Sequence, residues 1–423
     1  MGSFMNTLLI QHASELVAVS GPDAARSGTA QGTVELIHEG AVYCEGERIL
    51  AVGPMAEVLA RHPQAAKADR VIDARGHAVI PGLVDCHAHP VYAGDRSDEF
   101  AQRLSGKSYR EILDGGGGIL KSVRLTRAAT RDELLGALRE RLDAALALGT
   151  TTMEAKSGYG LEEVTERKML EVIRDANAGD ERHPIDLVPT LLFAHAVPQG
   201  MDAESLTALA CACTPRLAAL AEFVDVFCEK GIFSVEQSRR ILDAGRHAGL
   251  LVKVHADEMC LLGGAKLAAE LGAVSADHLL FTDDATIAAM KQSGTIAVLL
   301  PGTPFVLRVG YADARRWIAA GVPVAIGSDL NPNCYCESLP FAFALAVYEM
   351  KMTPAEALTA ITINAAAAIK REHEIGSLRP GKLADIVILK GPSYLHLGYH
   401  IGGNPVQTVI KRGRVVWGGG KEE

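Results

Sequence analysis

Apolar and polar positions change their rhythm twice along this chain. Over the first ~75 residues short apolar runs alternate with turn residues, which predicts strands. Leu8-Leu9-Ile10 opens one, residues 41–53 read as a hairpin turning at Gly46, and runs at 71–73 and 78–80 follow. The same idiom returns near the other end, at 384–389 and at 408–417, the latter turning at Gly413. Strands at both ends around a different middle predict one small β-sandwich domain built from both termini, residues 1–78 with 374–423. Two separate β appendages are the alternative.

The middle, residues 79–373, alternates apolar runs with amphipathic stretches, the signal of βα units around a parallel sheet. The apolar runs stand at 79–87, 150–155, 185–192, 223–228, 250–255, 273–277, 295–300 and 322–329. Eight is the number that closes a barrel, so the expected fold class is α/β, a (β/α)8 TIM-like barrel. Residues 131–148 and 234–248 carry apolar side chains at three- and four-residue spacing and predict helices between the strands.

Several runs end on or just before a polar residue: His89, Glu154 with Lys156, His195, Glu229, His255, His278 and Asp329. A barrel delivers the C-terminal ends of its strands to one mouth, so these side chains should converge there. Alternate side chains of a strand share a face, which predicts that His87 and His89 point together. With His255 and Asp329 they form a candidate metal set. Three imidazoles and a carboxylate suit zinc or iron and leave a position for water, the pattern of a metal-dependent hydrolase.

Other groups could serve the same mouth. Asp257 and Glu258 follow His255, and a carboxyl there either exchanges protons with a substrate nitrogen or caps the helix that starts nearby. His278 is placed to polarise a carbonyl or help activate water. Arg96 is either a fork for a substrate carboxylate or half of a surface salt bridge to Asp95, Asp98 or Glu99. The glycines at 115–118 lack the Gly-Lys-Ser/Thr of a phosphate loop and predict a mobile loop over the mouth.

Composition narrows the classes. With 48% hydrophobic and 22% charged residues the chain can bury a large core, which excludes wholesale disorder. A net charge of −9 argues against a nucleic-acid partner. No apolar run approaches the ~20 residues of a membrane span, and the start lacks a basic-then-apolar signal. Eight cysteines, closely paired only at 211/213 and 334/336, do not form a disulfide framework. Reduced thiols and a cytoplasmic location are expected.

The combined pattern resembles the amidohydrolase superfamily, through Pro81-Gly82-Leu83-Val84-Asp85-Cys86-His87-Ala88-His89 and the tail Gly376-Ser377-Leu378-Arg379-Pro380-Gly381-Lys382-Leu383-Ala384-Asp385. More narrowly it is similar to the imidazolonepropionase family. That likeness rests on Gly94-Asp95-Arg96-Ser97-Asp98-Glu99-Phe100, Lys156-Ser157-Gly158-Tyr159-Gly160 and Ala194-His195-Ala196-Val197-Pro198. It continues through His255-Ala256-Asp257-Glu258, Ser275-Ala276-Asp277-His278-Leu279 and Ser328-Asp329-Leu330-Asn331-Pro332.

The resemblance implies hydrolysis of 4-imidazolone-5-propanoate to N-formimidoyl-L-glutamate in histidine degradation. It implies one zinc or iron ion per chain on His87, His89, His255 and Asp329, and a homodimer with no nucleic-acid or membrane partner. Substrate or product contacts fall to Arg96, Tyr159, His195, Glu258, Asn331, Asn333 and Cys334, and catalytic roles to Glu258, His278 and Asp329. At Asn333-Cys334 the chain departs from the glycine and Ser/Thr expected of many members. Two-metal relatives bridge their ions with a carboxylated lysine ending the fourth strand, where this chain has Phe227-Cys228-Glu229. The competing reading is an aminoazaheterocycle deaminase of the same superfamily, which needs neither Arg96 nor Tyr159 for a carboxylate.

Overall fold

The computed structural model describes residues 6–107, 111, 117–179 and 181–418. Eight parallel strands lie side by side in chain order: Leu83–Asp85, Thr150–Lys156, Asp186–Ala194, Phe223–Cys228, Leu251–Ala256, Ser275–His278, Ile296–Leu299 and Val324–Ile326. These are the first to eighth barrel strands below. The sheet closes just past the strand ends. Asp329 N–H donates to the His87 carbonyl at 3.0 Å and His89 N–H to the Leu330 carbonyl at 2.8 Å. Asp85 Oδ1 accepts from Ser328 N–H at 3.0 Å across the same seam. The segments that carry His87, His89 and Asp329 are therefore also the stitch between first and eighth strands.

The helices between strands begin where side chains satisfy their free N–H groups. Thr130 with Glu133 opens Arg131–Ala147, and Ser234 with Gln237 opens Val235–His247, both reciprocal capping boxes. In the first of these, Leu134, Leu138, Leu142 and Ala145 are buried at three- and four-residue spacing, the stripe that packs on the barrel.

One expected element is divided. The run at 79–87 reads as a single strand, but Ala78–Pro81 pairs with Ile386–Leu389 and Glu15–Val17 in another sheet. Only Leu83–Asp85 enters the barrel. Gly82 makes the transfer: a Cβ there would stand 2.4 Å from Thr151 Oγ1, so the crossing backbone tolerates no side chain. His87 and His89 consequently lie on the closing segment beyond the strand, not within it.

Both ends of the chain build the remaining sheets. Arg48–Pro54, Gly40–Glu45, Thr7–Ala13 and Arg70–Asp73 form a four-stranded sheet in that order. Arg414–Gly418, Val406–Lys411, Ile386–Leu389, Ala78–Pro81, Glu15–Val17 and Leu36–Ile37 form a six-stranded one. Leu8, Ile10, Val42 and Ile49 of the first meet Val79, Ile386, Ile388 and Ile410 of the second in one apolar layer. Buried Lys411 ties this layer to the barrel, with Nζ 2.6 Å from Asp385 and 2.9 Å from Asp186 of the third barrel strand. Among the described residues no helix is long and apolar enough to cross a membrane. The glycine loop expected at 115–118 begins outside the described residues; Gly118 N–H donates to Glu99 at 2.9 Å.

Candidate active site

The four candidate ligands meet at the barrel mouth. His89 Nε2 lies 3.3 Å from His87 Nε2 and 3.3 Å from His255 Nε2. Asp329 Oδ1 lies 3.5 Å from His87 Nε2 and 3.7 Å from His89 Nε2. His87 Nδ1 is 2.6 Å from Asp277 Oδ2, and His255 Nδ1 is 2.9 Å from Asp225 Oδ2. A proton on His87 Nδ1 serves Asp277, and Asp225 beside His255 Nδ1 favours a proton there too, which leaves the Nε2 lone pairs aimed at one point. Lone pairs and a carboxylate oxygen facing one another repel unless a cation stands between them, so this donor set fits a metal ion. Burial, with Lys156 next, holds His87 well below the ordinary imidazole range, and burial with His195 does the same for His89. Neutral imidazole is the form that ligates.

Beneath this cluster lies a layer of buried charge. Lys156 Nζ, at the end of the second strand, is 2.7 Å from Asp225, 3.0 Å from Glu154 and 3.8 Å from Asp277. Lys253 donates to Glu154 at 2.7 Å and to the Cys86 carbonyl at 2.7 Å. Burial opposes the charge on Lys156, but Asp225, Glu154 and Asp277 outweigh it and raise its pKa above the ordinary range. Burial pushes Asp277 up to about 6 against the pull of Lys253 and Lys156. One ammonium thus braces the two carboxylates that orient His87 and His255.

The chain leaves the strands in strained turns. Asp257, His278, Leu279 and Asp329 have φ of 51°, 78°, 63° and 51°, the left-handed region that costs a non-glycine residue roughly 1–3 kcal/mol. Asp257 is fixed by accepting from the N–H groups of Leu262, Gly263 and Gly264 and from the Thr282 hydroxyl. The capping alternative therefore holds for Asp257. Glu258 turns the other way, its Oε2 3.7 Å from His278 Nε2. Burial, with Asp329 and Glu229 adding, pushes its carboxyl up to about 8.

The remaining candidates flank the cluster. His195 stacks on His89, ring centres 4.9 Å apart and planes 14° from parallel, with the Tyr159 ring 5.3 Å further on. Arg96 is paired as the salt-bridge alternative supposes, Nε and Nη2 at 2.8 and 2.7 Å from Glu99 Oε2, but the pair is buried instead of superficial. Asn331 donates to Asp329 Oδ1 at 2.9 Å, and its own Oδ1 accepts from the N–H groups of Asn333 and Cys334 at 2.8 and 2.9 Å. Those two N–H groups are thereby committed, and burial raises the Cys334 thiol well above its usual range. Sequence reasoning passed over the supporting roles of Asp225, Asp277 and Lys253, and over Thr303, which donates to Asp329 Oδ2. The available signal was a charged residue inside an apolar strand run, as in Leu251-Val252-Lys253-Val254-His255.

A barrel with a buried three-histidine, one-carboxylate cluster at its mouth defines the amidohydrolase class of hydrolases, and the amidohydrolase family signature matches residues 232–416. Residues 40–65 match the imidazolonepropionase-like composite domain of bacteria. The chain is 50% identical to the imidazolonepropionase of Symbiobacterium thermophilum over 98% of each chain. It is 48% identical to that of Haloarcula marismortui over 97% of each. It belongs to the imidazolonepropionase family. Solved structures share the fold at lower identity. An ochratoxinase of A. niger superposes with a TM-score of 0.70 at 18% identity, covering 98% of this chain and 96% of that one. An adenosine deaminase of Xanthomonas campestris with bound zinc gives 0.70 at 18%, covering 96% and 92%.

Proposed function

We propose that this chain opens the ring amide of 4-imidazolone-5-propanoate and releases N-formimidoyl-L-glutamate, a step of L-histidine degradation. The observation that carries the reading is the asymmetry of the mouth. On one side of the ligand cluster stands the Glu258–His278 pair, on the other Tyr159 and His195, with the guanidinium of Arg96 close enough to act on Tyr159.

One zinc or iron ion held by His87, His89, His255 and Asp329 supplies, when bound, the Lewis acid that acidifies a water. Asp329, held by Thr303 and Asn331, takes the proton from that water. His278 stabilises the oxygen of the attacked carbonyl. Glu258, a buried carboxyl beside His278, is the group placed to deliver a proton to the ring nitrogen as the C–N bond breaks. Arg96 and Tyr159 hold the propionate, and His195 forms a wall by stacking on His89. Asn331, Asn333 and Cys334 complete the substrate or product contacts that the family resemblance implies. Lys156, engaged by three carboxylates, serves as a structural ammonium, which supports one ion per chain. From the family resemblance the enzyme works as a cytoplasmic homodimer, without nucleic-acid or membrane partners.

The test gives purified protein 4-imidazolone-5-propanoate and follows loss of its ultraviolet absorbance, with and without a chelator. Mass spectrometry should find a product heavier by one water, with no ammonia released. Stoichiometric ammonia would refute ring opening in favour of deamination.

A further inference from the structure

Arg103 lies in the last turn of the helix Ser97–Leu104, and Arg96 is the residue that begins it. Two helical turns separate them, so both guanidinium groups leave from one face. Their partners differ. Arg96 is neutralised by Glu99. Arg103, among the described residues, has no ion pair, and its Nη1 donates to the uncharged Oδ1 of Asn333. Burial and then the neighbouring Arg96 push the Arg103 pKa down, and Glu99, already paired with Arg96, offsets this only in part.

The anchor leads back to the chemistry. Asn333 N–H donates to Asn331 Oδ1, and Asn331 Nδ2 donates to Asp329 Oδ1, so hydrogen bonds run unbroken from Arg103 to a candidate ligand. A glycine at 333, the residue expected there from the family resemblance, would leave the Arg103 guanidinium unanchored. Arg96, Glu99 and Arg103 together carry one net positive charge, which matches one carboxylate.

We propose that Arg103, steered by Asn333, supplies the counter-charge for the substrate's carboxylate, while Arg96 orients that group with Glu99 already in place. This rests on the substrate reading above. It makes Arg103 a binding residue that selects a charged tail over a neutral one.

The metal-loaded enzyme is titrated with 3-(imidazol-4-yl)propanoate and with its neutral amide, 3-(imidazol-4-yl)propanamide. Wild type should bind the propanoate more tightly. Arg103→Met should lose about ten- to a hundred-fold in propanoate affinity, the scale of a charged hydrogen bond, with propanamide unchanged. Arg103→Lys should recover most of the loss, and Asn333→Gly should show a smaller loss of the same sign. In turnover KM should rise while kcat stays within a few-fold. An unchanged propanoate-to-propanamide ratio in Arg103→Met, in protein with native circular dichroism and metal content, overturns the proposal. A wild type that prefers neither probe and opens no ring overturns the substrate reading with it, so the two failures are distinct.

Discussion

Asp277→Asn isolates the support of His87, one of the proposed metal ligands. Asp277 accepts from His87 Nδ1 at 2.6 Å and from the Ser275 hydroxyl at 2.6 Å, in a site without solvent. The amide has the same shape but presents an NH2 where Oδ2 stood or, after rotation, a weaker acceptor. In the first case His87 must move its proton to Nε2, the atom aimed at the metal. In the second it keeps the tautomer and loses a charge-assisted bond worth about 1.5–3 kcal/mol. One decade of affinity is about 1.4 kcal/mol, so metal binding should weaken by roughly 10–100-fold, the usual effect of removing a ligand's orienting partner. The fold should survive, because Lys156 keeps Asp225 and Glu154 at 2.7 and 3.0 Å. The assay is competition with a calibrated chelator on metal-free protein, alongside circular dichroism. Asp225→Asn should act the same way through His255. Native-like metal affinity in Asp277→Asn would show that His87 needs no such partner.

Lys156→Met should destabilise the metal-free protein by about 3–5 kcal/mol, because it strands Asp225 and Asp277 beside a missing cation and leaves Glu154 to Lys253 alone. A urea midpoint within error of wild type would contradict this. Glu258→Gln should keep the metal and slow turnover by roughly 10²–10⁴-fold. The Glu258 carboxyl rises from 4.5 to about 8 in the folded chain, so its contribution to stability is complete below pH 4.5 and lost as pH rises through about 8. The buried histidines, held below the ordinary imidazole range, contribute with the opposite sign up to about pH 6.5. The readout is therefore the difference in urea midpoint between metal-free wild type and the glutamine variant, which should shrink as pH rises from about 4.5 through about 8. Gly82→Ala should cost about 1–3 kcal/mol by forcing a methyl group against Thr151, and Thr151→Ala should relieve part of it.

The parts legible in sequence are those where one residue carries its own signal. Eight apolar runs gave the barrel, and histidines at strand ends gave the mouth, because period and position are local properties. The division at Gly82 was not local. Residues 79–87 read as one apolar run, and the packing of Thr151 and the pairing with Ile386–Leu389 decide where it changes sheets. Asp257 and Glu258 look equivalent as neighbours, yet a positive φ at Asp257 turns one carboxylate onto the next helix and the other toward His278. Arg103 carried no motif. Its meaning comes from Asn333, 230 residues away in the chain.

The site separates into two layers of opposite charge. Below the ligand cluster three carboxylates, Glu154, Asp225 and Asp277, face two ammonium groups, Lys156 and Lys253, and leave one negative charge under a cation site. Above it Arg96 and Arg103 face Glu99 and leave one positive charge where the reading places a carboxylate. The lower layer sits on the barrel strands themselves, fully buried, so removing its central ammonium, as in Lys156→Met, costs stability as well as metal affinity. The upper layer sits on the helix Ser97–Leu104 and the segment after Asp329, outside the barrel strands. Metal affinity and tail selectivity should accordingly separate among variants of Arg103 and Asp277, the two layers being joined through the Asn331 bond to Asp329 and through the stack of Tyr159 and His195 on His89.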